Sequence, residues 1–193
     1  MMLYSIIYVT SRIKVIHLSD LFLSKPSPLY HKQYNDMIRD FKTSGEDPIP
    51  WVLRLDATPF IKLLRNLEWL SAGVSLPHNL PRCHTYWLVS DSGRLLGAVT
   101  IRHGEDCPPD DGRYCHIAFG IRPSQRRKGY GTIMLRLALA KARELHIKDV
   151  YVECDASNTA SEKVILKNGG VLQSEPAGRK RFLIADTPAS CEN

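Results

Sequence analysis

The stretch that most constrains this 193-residue chain runs from His116 to Leu145. Residues 116–122 read as a strand, and Pro123, which has no N–H, ends its pairing. Arg126-Arg127-Lys128-Gly129-Tyr130-Gly131-Thr132 follows. Met134, Leu135, Leu137, Ala138 and Ala142 then give one broad apolar face to a helix over 132–145. A strand therefore turns through a basic, glycine-bearing loop into a helix N-terminus. The first N–H groups of a helix have no acceptor within it, and the aligned peptide dipoles add partial positive charge there. Gly129 and Gly131 permit unusual dihedrals and a close ligand approach. Such a cradle suits phosphate, and a diphosphate is its natural guest. The spacings of the P-loop and of the dinucleotide-binding fingerprint are both missing, which argues against a nucleoside triphosphate or a nicotinamide cofactor.

The rest of the chain supplies the layers for that crossover. Residues 13–18 read as a first strand, and Ser24 to Pro28 as a break. Leu29, Met37, Ile38 and Phe41 space a helix over 29–43. A second helix starts with Thr58 as N-cap and Pro59 at its first position, carries Phe60, Leu63, Leu64, Leu67 and Leu70 on one stripe, and stops at Gly73. Residues 86–89 and 95–101 are strands around the turn Asp91-Ser92-Gly93. Loops take 77–81 and 103–113. A strand at 149–154, a helix at 158–167 ended by Asn168-Gly169-Gly170, and short strands at 171–172 and 181–184 complete the order. The pattern predicts a mixed α/β (α+β) fold, a mostly antiparallel sheet with helices on both faces. One domain over 1–193 accommodates it, with 14–84 as an N-terminal acceptor side, 85–185 as the core and 186–193 as a frayed tail.

Several classes of function are disfavoured. No apolar run reaches the ~18 residues of a membrane span. Residues 1–9 are apolar but lack an early basic region, so they read as a strand or a lead-in rather than a signal peptide. The five cysteines are odd in number and contain no CxxC pair, which favours free thiols in a reducing cytoplasm and no metal site. The net charge of +6 favours an anionic partner. Its focus is Arg122, Arg126, Arg127 and Lys128, without the interleaved aromatics of a nucleic-acid binder. No membrane partner is expected, and a homodimer is left open.

The run 120–131, together with Asn158, Ser161 and Lys167-Asn168-Gly169-Gly170, resembles the two landmarks of the GNAT superfamily of N-acetyltransferases. The first landmark is a strand, a proline and R/Q-x-x-G-x-G/A opening a helix. Residues 86–89, 116–120 and 167–172 are similar to a group of uncharacterised bacterial acetyltransferases within it. The resemblance covers roughly 85–185. It implies that the chain moves an acetyl group from acetyl-CoA to a primary amine of a small molecule or peptide, by direct attack and without a metal. It implies a GNAT-like acyl-CoA transferase fold in which the amides of Arg127, Lys128, Gly129, Tyr130, Gly131 and Thr132 hold the diphosphate, with Arg126 at the motif's first position. Phe119 and Ile121 would offer main-chain groups to the pantetheine arm, as an added strand would. Asn158 would hydrogen-bond that arm, and it reads also as a plain helix N-cap.

For the chemistry, His116 stands on the strand where many relatives carry a glutamate. It is the candidate base, beside a reading as a structural histidine. Glu153 is the reserve base, or else a solvated carboxylate. Ile165 stands where many relatives place an acidic tyrosine, so the resemblance supplies no general acid. Cys154 reads as a core thiol. Trp51, Trp69 and Trp87 read as packing residues. Asp36, Asp40, Glu46 and Asp47 read as a solvated face that would also attract a cationic acceptor. A binding module that holds acetyl-CoA without turnover is the alternative.

Overall fold

Residues 86–89 and 95–101 are apolar at nearly every position, so both faces of the strands they form must be covered. The computed structural model, which describes residues 21–74, 81–104 and 115–185, covers them with two helical layers. Seven strands form one sheet: β1 (Leu21–Ser24), β2 (Arg82–Ser90), β3 (Leu95–His103), β4 (Ile117–Ile121), β5 (Asp149–Asp155), β6 (Val171–Ser174) and β7 (Arg179–Ala185). Their order is β1-β2-β3-β4-β5-β7-β6. Every neighbouring pair is antiparallel except β4 and β5.

Helices α1 (His31–Ser44) and α2 (Phe60–Ala72) lie on one face. Their Tyr34, Met37, Phe41, Phe60, Leu63 and Leu67 share a core with Cys83, Trp87, Val89 and Ala98 of the sheet. Trp87 is fully buried there, and truncating such a residue to alanine costs about 3–5 kcal/mol. Helices α3 (Tyr130–Glu144) and α4 (Thr159–Lys167) lie on the other face. Met134, Leu135, Ala138, Ala142 and Ile165 pack there on Leu88, Val99, Ile117, Val152 and Phe182. The alternation of β2 and β3 thus divides the molecule into an α1/α2 half and an α3/α4 half.

The element order agrees with the sequence, and four details differ. The pairing of β1 with residues 87–90 was hidden in four residues read partly as a break, while the strand expected at 13–18 lies outside the described residues. Thr58 does not cap α2. Its amide donates to Asp56 Oδ1 at 2.9 Å, and Pro59 takes the N-cap position. Helix α3 starts two residues early, at Tyr130, so the second glycine of the motif is already helical. Trp69 packs at the surface, 44% exposed, with Arg65 over its ring at 5.2 Å. The tail 186–193 and most of the loops expected at 77–81 and 103–113 also fall outside the described residues.

Candidate active site

The loop between β4 and α3 begins with a 3-10 turn at Pro123–Gln125, whose ends are tied by Gln125 N donating to Arg122 O and Arg126 N donating to Pro123 O. The chain then leaves regular geometry. Arg127 takes φ of 61° and Gly129 φ of 81°, both left-handed. A side chain at Gly129 would meet nothing within 4 Å, so the glycine serves the dihedral and not the space. The result is a row of exposed donors. Among the described residues, the amides of Arg127, Lys128, Gly129, Tyr130, Gly131 and Thr132 find no acceptor, and the helical ladder starts with Ile133 N donating to Gly129 O. Six successive N–H groups without an acceptor at a helix N-terminus are an arrangement that favours anions.

The cations around it are differently placed from what their clustering suggests. Arg122 is buried, and its Nε donates to Asp40 Oδ2 at 2.6 Å. Its other nitrogens donate to the carbonyls of Leu95 and Asp36. Ser124 Oγ and Ser124 N donate to the same Asp40 oxygen, at 2.5 and 3.3 Å. Burial pushes the Asp40 carboxyl up, but the hydrogen bonds from Ser124 and Arg122 outweigh it and hold the group below its usual range. Arg126 pairs with Glu46 at 2.7 Å, donates from Nε to Ile121 O at 3.0 Å and lies 6.0 Å above the Phe41 ring. Lys128 Nζ turns back to Gln125 Oε1 at 3.0 Å. Among the described residues Arg127 alone of the four has no hydrogen-bond or ion-pair partner for its side chain.

The carboxylates read as a solvated face divide: the side chains of Asp36, Glu46 and Asp47 are 41%, 44% and 84% exposed, as expected, while that of Asp40 is only 16% exposed. Asp36 pairs with Arg39, Asp40 with Arg122, Glu46 with Arg126 and Asp47 with Arg54. Asp36 pairs locally with Arg39, but the partners of Asp40 and Glu46 lie 82 and 80 residues away, which no local pattern reveals. A cavity of about 530 Å³ on this side, lined by Gln33, Asp36, Asp40, Arg94, Arg122 and Ser124, has charges that are largely paired already.

Beyond the loop the sheet opens. β4 is in register with β3 along its whole length, from Ile117↔Ile101 to Ile121↔Gly97. It meets β5 at Ile117↔Val152 alone, while β5 is zipped to β7 from Asp149 to Asp155. The two parallel strands therefore fork beyond that pair. Arg122 N donates to Leu96 O and Arg102 N to His116 O, so the antiparallel alternation turns the main-chain groups of Phe119 and Ile121 away from β3 and into the fork. Arg126 Nε occupies the Ile121 carbonyl there. On the α1/α2 face the chain before Pro50 presses against β4. A Cβ on Gly120 would collide with the Ile49 carbonyl oxygen, so only glycine fits.

His116 sits at the base of the fork and is 5% exposed. Its amide donates to Tyr151 O at 2.8 Å, and its Nδ1 accepts from Tyr151 N at 2.9 Å. Burial and then the Arg181 charge lower its pKa, against a smaller opposing effect of Asp149. A neutral ring whose Nδ1 lone pair is taken carries its proton on Nε2. Glu153, the first β5 residue past the fork, is far from solvated. Its carboxylate lies 3.3 Å from Arg179 and 3.4 Å from Arg181, with side-chain exposure of 13%. Arg181 also stacks 4.5 Å above the Tyr151 ring. Asn158 caps α4, its Oδ1 accepting from Ser161 N at 3.0 Å, which leaves its Nδ2 for another acceptor. Ile165 is fully buried and Cys154 is 5% exposed, both in the α3/α4 core.

With this geometry in hand, the comparisons with known proteins converge. The family model described as Acetyltransferase (GNAT) family matches residues 51–169, more than half of the chain. No curated protein matches. Among solved structures, RimL, a ribosomal-protein alpha-N acetyltransferase in complex with coenzyme A, is similar at 14% identity with a TM-score of 0.64, covering 87% of this chain and 96% of that one. The Campylobacter jejuni N-acetyltransferase PseH in complex with acetyl coenzyme A is similar at 13% identity, TM-score 0.58, over 86% and 99%. The self-immunity acetyltransferase MccE with acetyl-CoA and AMP gives 12% identity, TM-score 0.62, over 86% and 92%. At such identities the likeness carries the fold alone.

Proposed function

The chain belongs to the GNAT acetyltransferase family, and from that premise we propose that it transfers an acetyl group from acetyl-CoA to a primary amine of a small molecule or peptide by direct attack. The observation that carries the reading is the row of six amides from Arg127 to Thr132 that find no acceptor among the described residues. A diphosphate needs several donors fixed before it arrives, and amides at a helix start meet that need without reorganisation. When bound, acetyl-CoA supplies a thioester carbonyl open to an amine and a thiolate that leaves readily.

In this reading the amides of 127–132 grip the diphosphate, with the Arg127 side chain as the cation still at liberty beside them. The main chain of Phe119 and the N–H of Ile121 take the pantetheine arm along the open edge of β4. Arg126 acts at one remove, by occupying the Ile121 carbonyl and tying the loop to Glu46. Asn158 offers Nδ2 to the arm. His116, expected as the base, has its Nδ1 lone pair engaged by Tyr151, so proton uptake from the amine falls to solvent. A nucleic-acid partner is disfavoured in this reading, because Asp40 and Glu46 already neutralise Arg122 and Arg126. Among the described residues no helix is long and apolar enough to cross a membrane. Free thiols at Cys83, Cys115 and Cys154 suit a cytoplasmic enzyme.

The test is calorimetric titration with acetyl-CoA and with acetyl-pantetheine, which keeps the thioester arm and lacks the diphosphate. Acetyl-CoA should bind, and acetyl-pantetheine should bind about a hundredfold more weakly or worse, since hydrogen bonds to a charged group are the strong ones. Equal affinities would remove the cradle from the account. A panel of amines should then release free CoA from acetyl-CoA. Binding heat with no release from any amine would make the chain an acetyl-CoA holder instead.

A further inference from the structure

The fork needs something to fix where it starts. In a regular parallel pair each strand would reach the other through main-chain carbonyls and amides. Here β4 and β5 share one register pair, and the rung beneath it is built differently. His116 N donates to Tyr151 O as a ladder rung should, while the return bond ends on a side chain, with Tyr151 N donating to His116 Nδ1. The His116 carbonyl is turned to the other side, where it accepts from Arg102 N of β3 at 2.7 Å. The ring takes the place of a carbonyl. It lies 5.9 Å from the Tyr151 ring, over which the Arg181 guanidinium sits at 4.5 Å.

We propose that His116 is a positioning residue: its Nδ1 pins Tyr151 of β5 to the start of β4, fixing the width of the fork that receives the pantetheine arm. The inference rests on the acetyl-CoA reading above and gives His116 a different task from that of a base. Without the ring, the Tyr151 amide loses its acceptor in a half-buried site, and the two strands separate lower down. A slot of uncertain width has to be ordered at each binding event, so the loss falls on acetyl-CoA affinity. Protonation at Nδ1 has the same effect, because it sets two donors against each other. Among the described residues, the groups that act on the ring are Tyr151 and Asp149 of β5 and Arg181 of β7, while Arg102 N of β3 meets the His116 carbonyl. The Arg181 charge works against protonation and Asp149 favours it.

Wild type, His116→Ala and His116→Asn decide the matter. Asparagine places Oδ1 as many bonds from the backbone as histidine places Nδ1, so it can accept the same N–H, and it cannot act as a base. His116→Ala should raise the Kd and KM for acetyl-CoA about tenfold, the usual effect of one stranded buried donor. His116→Asn should recover most of that loss. Acidification should weaken acetyl-CoA binding in wild type and leave the asparagine variant flat. Should both variants lose kcat alike with unchanged Kd, the histidine is a base and the pin is wrong. Nitrogen-15 NMR of the wild-type imidazole gives an answer even if the alanine variant fails to fold. Nδ1 should be bare and accepting at neutral pH with the proton on Nε2, and the opposite tautomer overturns the proposal. Absence of acetyl-CoA binding by wild type would sink the proposed function, and the NMR tautomer would still judge the pin.

Discussion

On the α3 side of the 123–129 turn, six successive amides and the Arg127 side chain find no partner among the described residues. On the α1 side of the same turn nearly every charge is consumed: Asp40 takes Arg122 and Ser124, and Glu46 takes Arg126. Both sides are polar, basic in sequence and within one loop of each other. They differ in what the fold has already spent on itself. The α1 side behaves as a clasp that fastens α1 and the residues just after it to the loop. The α3 side, the receptor of the proposed function, keeps donors that are positioned and idle among the described residues. Function is read from the second kind of polar group, because a group satisfied by the protein must first give up a partner before it can bind a ligand.

Breaking the clasp should have the largest effect, and on stability. The Asp40 and Arg122 side chains are 16% and 8% exposed. Asp40→Ala leaves a buried guanidinium without its counterion, which costs about 3–5 kcal/mol. Urea unfolding of the unliganded protein reads this. A loss under about 1 kcal/mol would show the pair to be a surface contact, of the kind that contributes little. The folded variant should retain most of its acetyl-CoA affinity, since no cradle amide is touched.

The reverse result is expected from Gly129→Ala. Nothing lies within 4 Å of the added carbon, so the cost is that of φ at 81° alone, about 1 kcal/mol of stability. Relief of that strain swings the amides of 128–130 out of the row, and acetyl-CoA affinity should fall about tenfold or more by titration. If Asp40→Ala lost affinity and Gly129→Ala lost only stability, clasp and receptor would have been assigned to the wrong sides.

The two sides also differ in how plainly the sequence announces them. The receptor is written within a dozen consecutive residues. Strand, proline, glycines and helix are each local signals, and Phe119 and Ile121 face the fork by simple alternation. The clasp joins Asp40 to Arg122 and Glu46 to Arg126, pairs more than 79 residues apart, and a carboxylate on a helix surface looks the same whether it faces water or a distant arginine. The same holds for Glu153, whose arginines arrive on β7, and for Gly120, whose tight neighbour is Ile49 from the α1 half. His116 was visible as a titratable residue on the right strand. The role proposed for it turns on Tyr151, whose amide is 35 residues away and carries no side-chain signature at all. β1 was overlooked because four residues beside a proline-rich break carry too little alternation to separate strand from loop.

The smallest effect belongs to Glu46→Gln, and its sign with pH sharpens what the clasp is. The Arg126 and Glu46 side chains are 40% and 44% exposed, so solvent screens the pair and its removal should cost about 0.2–1 kcal/mol. The hydrogen bond from Arg126 holds the Glu46 carboxyl below its usual range. A carboxyl lowered on folding stabilises the native state above its ordinary pKa, and that stabilisation is lost as the pH falls through the folded value. The difference between wild type and Glu46→Gln in urea should therefore be full at pH 7 and vanish under strong acid. It should also shrink in high salt, where exposed charges are screened. Acetyl-CoA affinity should change less than in Gly129→Ala, because Arg126 keeps its bond to the Ile121 carbonyl when Glu46 is neutral. A gap between the variants that persisted at low pH would mean that Glu46 contributes packing rather than charge, and the clasp would then rest on Asp40 alone.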